Sequence, residues 1–138
     1  MKILAGVVLV VCFSASSGAQ IQKHQRASVI RDGLWGGEHF RMTVSDDKAS
    51  FELDCANGEI RGPLRFNKNG TFAFEGTLTK QGPGPIRVGR EPRPTPVRFT
   101  GKIKGNTMTI AVINRDTQKS EGSYVLTKGR DVRLHRCY

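Results

Sequence analysis

The chain has 138 residues, of which 37% are hydrophobic and 7% aromatic, and it carries 22 Lys and Arg against 12 Asp and Glu. This length is too short for two ordinary domains, and the apolar content is too high for a disordered chain. The net charge of +10 favours anionic partners, because net charge governs association and solubility rather than the fold.

The first 19 residues have the composition of a secretory signal peptide. Lys2 precedes an apolar run from Ile3 to Phe13, and the small residues Ser17 and Ala19 suit a signal peptidase. The apolar run is too short for a helix that crosses a bilayer core. We therefore predict cleavage after Ala19, a secreted or periplasmic mature protein, and no transmembrane segment.

Residues 20–32 are polar and unpatterned, which predicts a flexible N-terminal arm, and residues 33–138 form the predicted folded domain. Apolar and polar residues then alternate, as where Phe40 and Met42 share one face and Arg41 and Thr43 the other. Turn signals rich in Asn, Asp and Gly separate these runs. The pattern predicts eight strands, over residues 34–44, 49–55, 59–66, 71–79, 96–104, 107–113, 120–127 and 131–137.

These strands predict an all-β fold, a single antiparallel eight-stranded up-and-down barrel, since closure removes exposed sheet edges. A β-sandwich is the alternative. Without the signal peptide the chain keeps two cysteines, Cys55 and Cys137, and in an oxidising compartment such a pair predicts a disulfide. In the closed barrel these residues end the second and eighth predicted strands, which are neighbours of the first.

Gly33 and Trp35, at the start of the first predicted strand, resemble the Gly-x-Trp signature of calycin-type barrels such as lipocalins and avidin. The resemblance implies that an Arg near the chain end packs over Trp35, and Arg133 or Arg136 is placed to do so. Residues 35–39 and 54–58 also resemble a group of small secreted bacterial proteins of unknown function, which implies no activity.

The presumed barrel interior differs from that of a ligand-binding calycin. Six phenylalanines are expected to point inwards and fill it: Phe40, Phe51, Phe66, Phe72, Phe74 and Phe99. Strand counting places the long loop at the end where the first strand begins, and tight turns finish the opposite end. An open ligand cup is therefore not expected.

Residues 80–96 contain five of the six prolines and predict a long irregular loop. Between residues 80 and 104 seven basic residues face the single acid Glu91, a net charge of +6. Such a set is commonly a solvated face, and the alternative is a binding site for an anionic polymer, envelope surface or protein. The candidate binding residues are Lys80, Arg87, Arg90, Arg93, Arg98, Lys102 and Lys104.

We expect no catalytic residues, cofactor or metal. Glu38 and His39 are adjacent and would face opposite sides of a strand, and His24, His39 and His135 lack metal-ligand spacing. Nucleic acid is not the expected partner, because the aromatic residues point inwards.

The leading functional hypothesis is an anion-binding barrel protein that uses the basic proline-rich loop. Three alternatives stay open: a calycin that binds a small apolar ligand, a protease-inhibitor-like protein that presents this loop, and a basic secreted ribonuclease.

Overall fold

Ten β-strands and no helix occur in residues 28–137, the part of the chain that the computed structural model describes. The strands are β1 (Ser28–Val29), β2 (Gly33–Gly37), β3 (Phe40–Ser45), β4 (Lys48–Leu53), β5 (Ala56–Ile60), β6 (Arg65–Phe66), β7 (Thr71–Lys80), β8 (Thr95–Lys104), β9 (Thr107–Asn114) and β10 (Ser120–Lys128). The predicted signal peptide lies outside the described residues. Residues 28–137 contain no helix long and apolar enough to span a membrane.

Eight of these strands form a closed antiparallel barrel in the order β10-β2-β3-β4-β5-β7-β8-β9. The all-β class and the eight-stranded barrel are thus confirmed. Turns at 46–47 and 105–106 and the segment 61–70 lie at one end, which we call the base. The turns 38–39 and 54–55 and the segments 81–94 and 115–119 lie at the other, which we call the loop end.

The eight barrel strands are not the eight that the alternation predicts. The predicted first strand, 34–44, is two strands, β2 and β3, joined by a turn at Glu38 and His39. The predicted third strand, 59–66, is also divided, because β5 ends at Ile60 and β6 lies outside the barrel. Since β2 and β3 already fill two places, β10 closes the barrel against β2.

Residues 131–137, the predicted last strand, therefore have no place in the barrel and form no strand. This segment, which we call the C-terminal tail, runs over the outside of the barrel past Gly36 of β2 and Arg41 of β3, and it reaches the loop end at the turn 54–55. Its path passes close over Gly36, where an added Cβ would lie 3.3 Å from Val132 and would overlap the carbonyl oxygen of Arg130. The different strand count also moves the long loop to the end opposite the start of the first strand.

The base is covered by the chain before the barrel. Ser28 and Val29 pair with β6, and the Ile30 N–H donates to the Leu64 carbonyl at 2.9 Å. Ile30 and Leu64 are both buried in the core. Residues 28–30 of the predicted flexible arm are thus fixed to the domain, because Ile30 is the apolar residue that fills this end.

Aromatic rings fill the interior of the barrel. Phe40 stacks on Phe51 with ring centroids 5.5 Å apart, and Phe51 meets Phe99 edge to face at 5.0 Å. Phe72 and Phe74 stack on each other at 4.8 Å. Phe66 differs from the expectation, since it lies on β6 and packs against the core from outside the barrel.

Glycines on neighbouring strands make room for these rings. An added Cβ would lie 2.5 Å from the Phe51 ring at Gly58, 2.9 Å from Phe99 at Gly76 and 2.8 Å from Phe72 at Gly101. At each of these positions it would also overlap a carbonyl oxygen of the adjacent strand. Each of these large rings therefore lies against a glycine, because the close-packed interior has no room for a further side-chain atom there.

We predict that Gly76→Ala lowers the free energy of unfolding by about 1–3 kcal/mol or more, because the added methyl overpacks the core against Phe99 and the backbone of Glu59. Gly82→Ala is the matched control, since its Cβ would meet nothing within 4 Å. Urea unfolding of both variants measures the difference. Equal stability of the two variants would contradict this packing.

Candidate functional site

The segment between β7 and β8, residues 81–94, projects from the loop end, and we call it the basic loop. Residues 81–91 are all exposed. A Cβ added at Gly82, Gly84 or Gly89 would find no atom within 4 Å. The first part of the basic loop and residues 86–90, which we call its tip, therefore stand away from the barrel surface.

Local features restrict the shape of the basic loop. The Gln81 N–H donates to the Cys55 carbonyl at 2.8 Å, which ties the start of the loop to the β4–β5 turn. At the tip the Arg90 N–H donates to the Arg87 carbonyl at 2.9 Å, and Gly89 supplies the positive φ of 81° that this turn uses. Four prolines flank the tip and reduce its conformational freedom.

The tip combines apolar and cationic side chains. Ile86 is 72% exposed and Val88 100% exposed, on either side of Arg87. Within residues 28–137 no carboxylate forms an ion pair with Arg87, Arg90 or Arg93. These three guanidinium groups are thus available to an external anion.

The other four residues of the predicted binding set lie elsewhere. Lys80 pairs with Glu121 at 2.6 Å, and Arg98 pairs with Glu75 at 3.1 Å. Lys102 and Lys104 lie towards the base end of β8, and Lys104 is about 30 Å along the strand from its start, at roughly 3.3 Å per residue. Of the seven candidate residues, only Arg87, Arg90 and Arg93 therefore lie on the basic loop.

A shallow cavity of about 390 Å³ opens at the loop end beside the basic loop, and we call it the mouth. Apolar side chains line its floor, where Tyr124 packs against Phe40 with ring centroids 4.9 Å apart. Burial raises the pKa of the Tyr124 phenol, and the charges of Asp54 and Glu121 raise it further. The mouth is lined by His39, Leu53, Asp54, Cys55, Ala56, Leu78, Lys80, Gln81, Glu121 and Tyr124.

His39 and Asp54 form a pair at the rim of the mouth. His39 has a φ of 63° in the turn between β2 and β3, and its Nδ1 contacts the Asp54 carboxylate. Its Nε2 lies 3.5 Å from Glu38 Oε1. The expectation that Glu38 and His39 face opposite sides is therefore wrong, because they occupy a turn rather than a strand.

Asp54 also holds the C-terminal tail. Its Oδ1 accepts the His135 backbone N–H at 2.8 Å, and the rings of His39 and His135 lie 6.4 Å apart. Partial desolvation raises the pKa of Asp54, but the hydrogen bonds from His135 and His39 together outweigh it and lower the pKa below its usual 3.8. The ionised carboxylate is thus the form that joins turn and tail.

The two cysteines complete this junction. Cys55, with a φ of 61°, and Cys137 lie at disulfide distance with their Cα atoms 5.0 Å apart. Farther back along the tail, Asp131 Oδ1 lies 3.3 Å from Arg41 Nη1, and Arg41 Nε donates to Glu52 at 2.9 Å. The predicted cysteine pairing is confirmed, although Cys55 lies in a turn and Cys137 in the tail.

Trp35 is 2% exposed, as expected of a core residue, and among the described residues its Nε1 has no hydrogen-bond partner. Arg133 and Arg136 lie in the tail and are exposed. The residues paired with Trp35 on its two neighbouring strands are Lys128 on β10 and Met42 on β3. The packing of an Arg over Trp35 stays a prediction.

Residues 28–137 contain no cluster of three His, Cys, Asp or Glu side chains that could hold a metal.

We predict that Asp54→Asn lowers the thermal unfolding midpoint at neutral pH. Because the folded-state pKa of Asp54 is lowered, its stabilising effect is present above the unfolded value of about 4 and is lost as pH falls through the lower folded value. The difference from the unmodified chain should therefore shrink in acid. Asp116→Asn is the control, because Asp116 is exposed and has no ion pair among the described residues; its unfolding midpoint should differ little from that of the unmodified chain at any pH. If the midpoint difference of Asp54→Asn does not change with pH, the prediction is contradicted.

We predict that brief trypsin digestion cuts first after Arg87 or Arg90, because these residues are exposed on a segment that stands off the barrel. Both sites lie between Cys55 and Cys137, so the fragments should stay joined until a reductant is added. Gels with and without reductant, and intact masses, measure this. First cuts within the barrel strands would contradict it, whereas resistance with tight trypsin binding would favour the protease-inhibitor alternative.

Comparison of the chain with protein-family models, with curated proteins and with solved structures gives no match. The closed barrel of eight antiparallel strands is compatible with a calycin-like architecture.

Proposed function

We propose that this protein is a secreted or periplasmic β-barrel that binds anionic surfaces through the basic loop. The observation that carries the proposal is the group Arg87, Arg90 and Arg93, which have no acidic partner among the described residues and lie on one exposed loop. Guanidinium groups grip phosphate, sulfate and carboxylate bidentately. Elsewhere at the loop end, Lys80 pairs with Glu121 and Arg115 pairs with Glu75, while the exposed Lys119 adds to the positive charge.

The way in which the basic loop is mounted supports this role. Its start is held by the β4–β5 turn, which the paired cysteines connect to the tail, and its end enters the ten-residue strand β8. Prolines limit the loop's freedom before binding, so less conformational entropy is lost when it meets a surface. The barrel thus acts as a rigid support for the loop.

The filled interior makes the small-ligand alternative less favourable. A calycin-like barrel that carries a ligand needs a chamber, but the positions that would line it hold stacked phenylalanines such as Phe40, Phe51 and Phe99, each 1% exposed or less. The mouth is shallow, and the polar side chains that line it already contact one another, His39 with Asp54 and Lys80 with Glu121. The proposal therefore places binding on the outside of the barrel.

We predict that Arg87→Ala/Arg90→Ala/Arg93→Ala weakens binding to vesicles that contain phosphatidylglycerol by on the order of a hundredfold at low salt, at about 1 kcal/mol for each cation near an acidic surface. Retention on heparin should fall in the same variant, because the same cations bind sulfate groups. Co-sedimentation and the salt concentration of elution measure the two effects.

The matched control is Lys68→Ala/Lys102→Ala/Lys104→Ala, which removes three exposed cations from the base end. If binding depends on the basic loop, this variant keeps most of its affinity. Equal losses in the two variants would show that net charge alone governs binding, and an unmodified protein with no salt-sensitive retention would refute the proposal.

A further inference from the structure

We propose that the surface bound by the basic loop is an acidic phospholipid bilayer, and that Ile86 and Val88 insert into its interface. This inference rests on the proposed function and names the partner more closely. It is based on the exposed apolar side chains Ile86 and Val88, which attraction between charges does not involve.

The two apolar residues at the tip are unusual among the described residues. Only four large hydrophobic side chains there are exposed: Val29, Ile86, Val88 and Val125. Two of the four are separated by a single residue, Arg87, at the tip of the basic loop, where a Cβ added at Gly84 or Gly89 would meet no atom within 4 Å. Val88, at 100% exposure, has no protein surface to cover it, and water-exposed apolar surface gains free energy on transfer to an apolar medium.

The polar groups of the loop suit the interface of a bilayer. Unpaired backbone N–H groups are costly in a lipid environment, and the four prolines at 83, 85, 92 and 94 carry none. The Arg90 N–H is already bonded to the Arg87 carbonyl. The segments on either side of the tip therefore bring fewer unsatisfied donors to the interface than the same segments without proline would.

The charges flank the apolar tip in the arrangement that an acidic membrane favours. Arg87 lies between Ile86 and Val88, and Arg90 and Arg93 follow within five residues of Val88. Arginine can extend an apolar stem along a bilayer while its guanidinium group stays with the phosphates. Membrane affinity of this kind grows with both buried apolar area and attraction to acidic lipids.

A polyanion in solution fits these observations less well. Heparin-like chains would engage the three arginines and leave Ile86 and Val88 in water. A single-stranded nucleic acid would need aromatic residues on which bases stack, and residues 81–94 contain none. The bilayer is the anionic partner that uses both the cations and the apolar side chains.

The test compares Ile86→Ser/Val88→Ser with the unmodified protein on two probes, phosphatidylglycerol–phosphatidylcholine vesicles and heparin. Insertion predicts a loss of vesicle affinity of about tenfold or more, with heparin retention unchanged. Val125→Ser, which alters an exposed apolar residue on β10, is the matched control and should keep its vesicle affinity. Unchanged vesicle binding in the double variant would overturn the inference and leave the proposed function intact.

A spectroscopic readout measures insertion directly. In V88W the introduced indole should shift its emission to shorter wavelength on these vesicles and be quenched by brominated lipids, whereas the native Trp35 is buried in the core. If V88W still sediments with vesicles but shows neither signal, the inference is overturned. If Ile86→Ser/Val88→Ser loses affinity for both vesicles and heparin, the inference is also overturned, and the loop would instead bind an acidic protein or polymer. If neither vesicles nor heparin retain the unmodified protein, the proposed function fails first.

Discussion

Close packing of phenylalanine rings against glycines is the constraint on which the rest of this structure depends. Phe51, Phe72 and Phe99 lie where an added Cβ on the neighbouring strand would collide with them, so the strands can close tightly around a filled interior. An eight-stranded barrel is narrow enough for side chains to fill it. Because side chains occupy the interior, the proposed binding site lies on the outer surface.

The loop end shows how the barrel supports such a surface. The turn at Asp54 and Cys55 meets three distant segments: the turn of His39, the C-terminal tail at His135 and Cys137, and the start of the basic loop at Gln81. Each contact is a hydrogen bond, an ion pair or a cysteine pair rather than apolar packing. This small polar junction gives a projecting loop a firm attachment where the hydrophobic core ends.

Alternation of apolar residues predicted most strands correctly, because one face of each antiparallel strand meets the filled core. It could not detect the turn at Glu38 and His39, since neither residue is a usual turn former and the positive φ of His39 is accompanied by a contact with Asp54, fifteen residues away. Because this turn is missed, β2 and β3 are counted as one strand. The predicted total of eight strands then includes residues 131–137, which form no strand. The alternation of apolar residues therefore could not predict the contact between His39 and Asp54, because both residues lie in turns.

The sequence by itself determined the all-β class, the closed barrel, the cysteine pair and the irregular proline-rich loop, because these depend on local pattern and on composition. Only the tertiary structure decided which of the candidate basic residues have a carboxylate partner. Arg98 pairs with Glu75 on the neighbouring strand β7, whereas Lys80 pairs with Glu121 on the non-adjacent strand β10. Lys102 and Lys104 lie towards the base end of β8. Arg87, Arg90 and Arg93 share one exposed loop and have no ion pair among the described residues. A charged stretch of sequence does not show which of its charges will be paired, because the carboxylate partners come from distant segments of the chain.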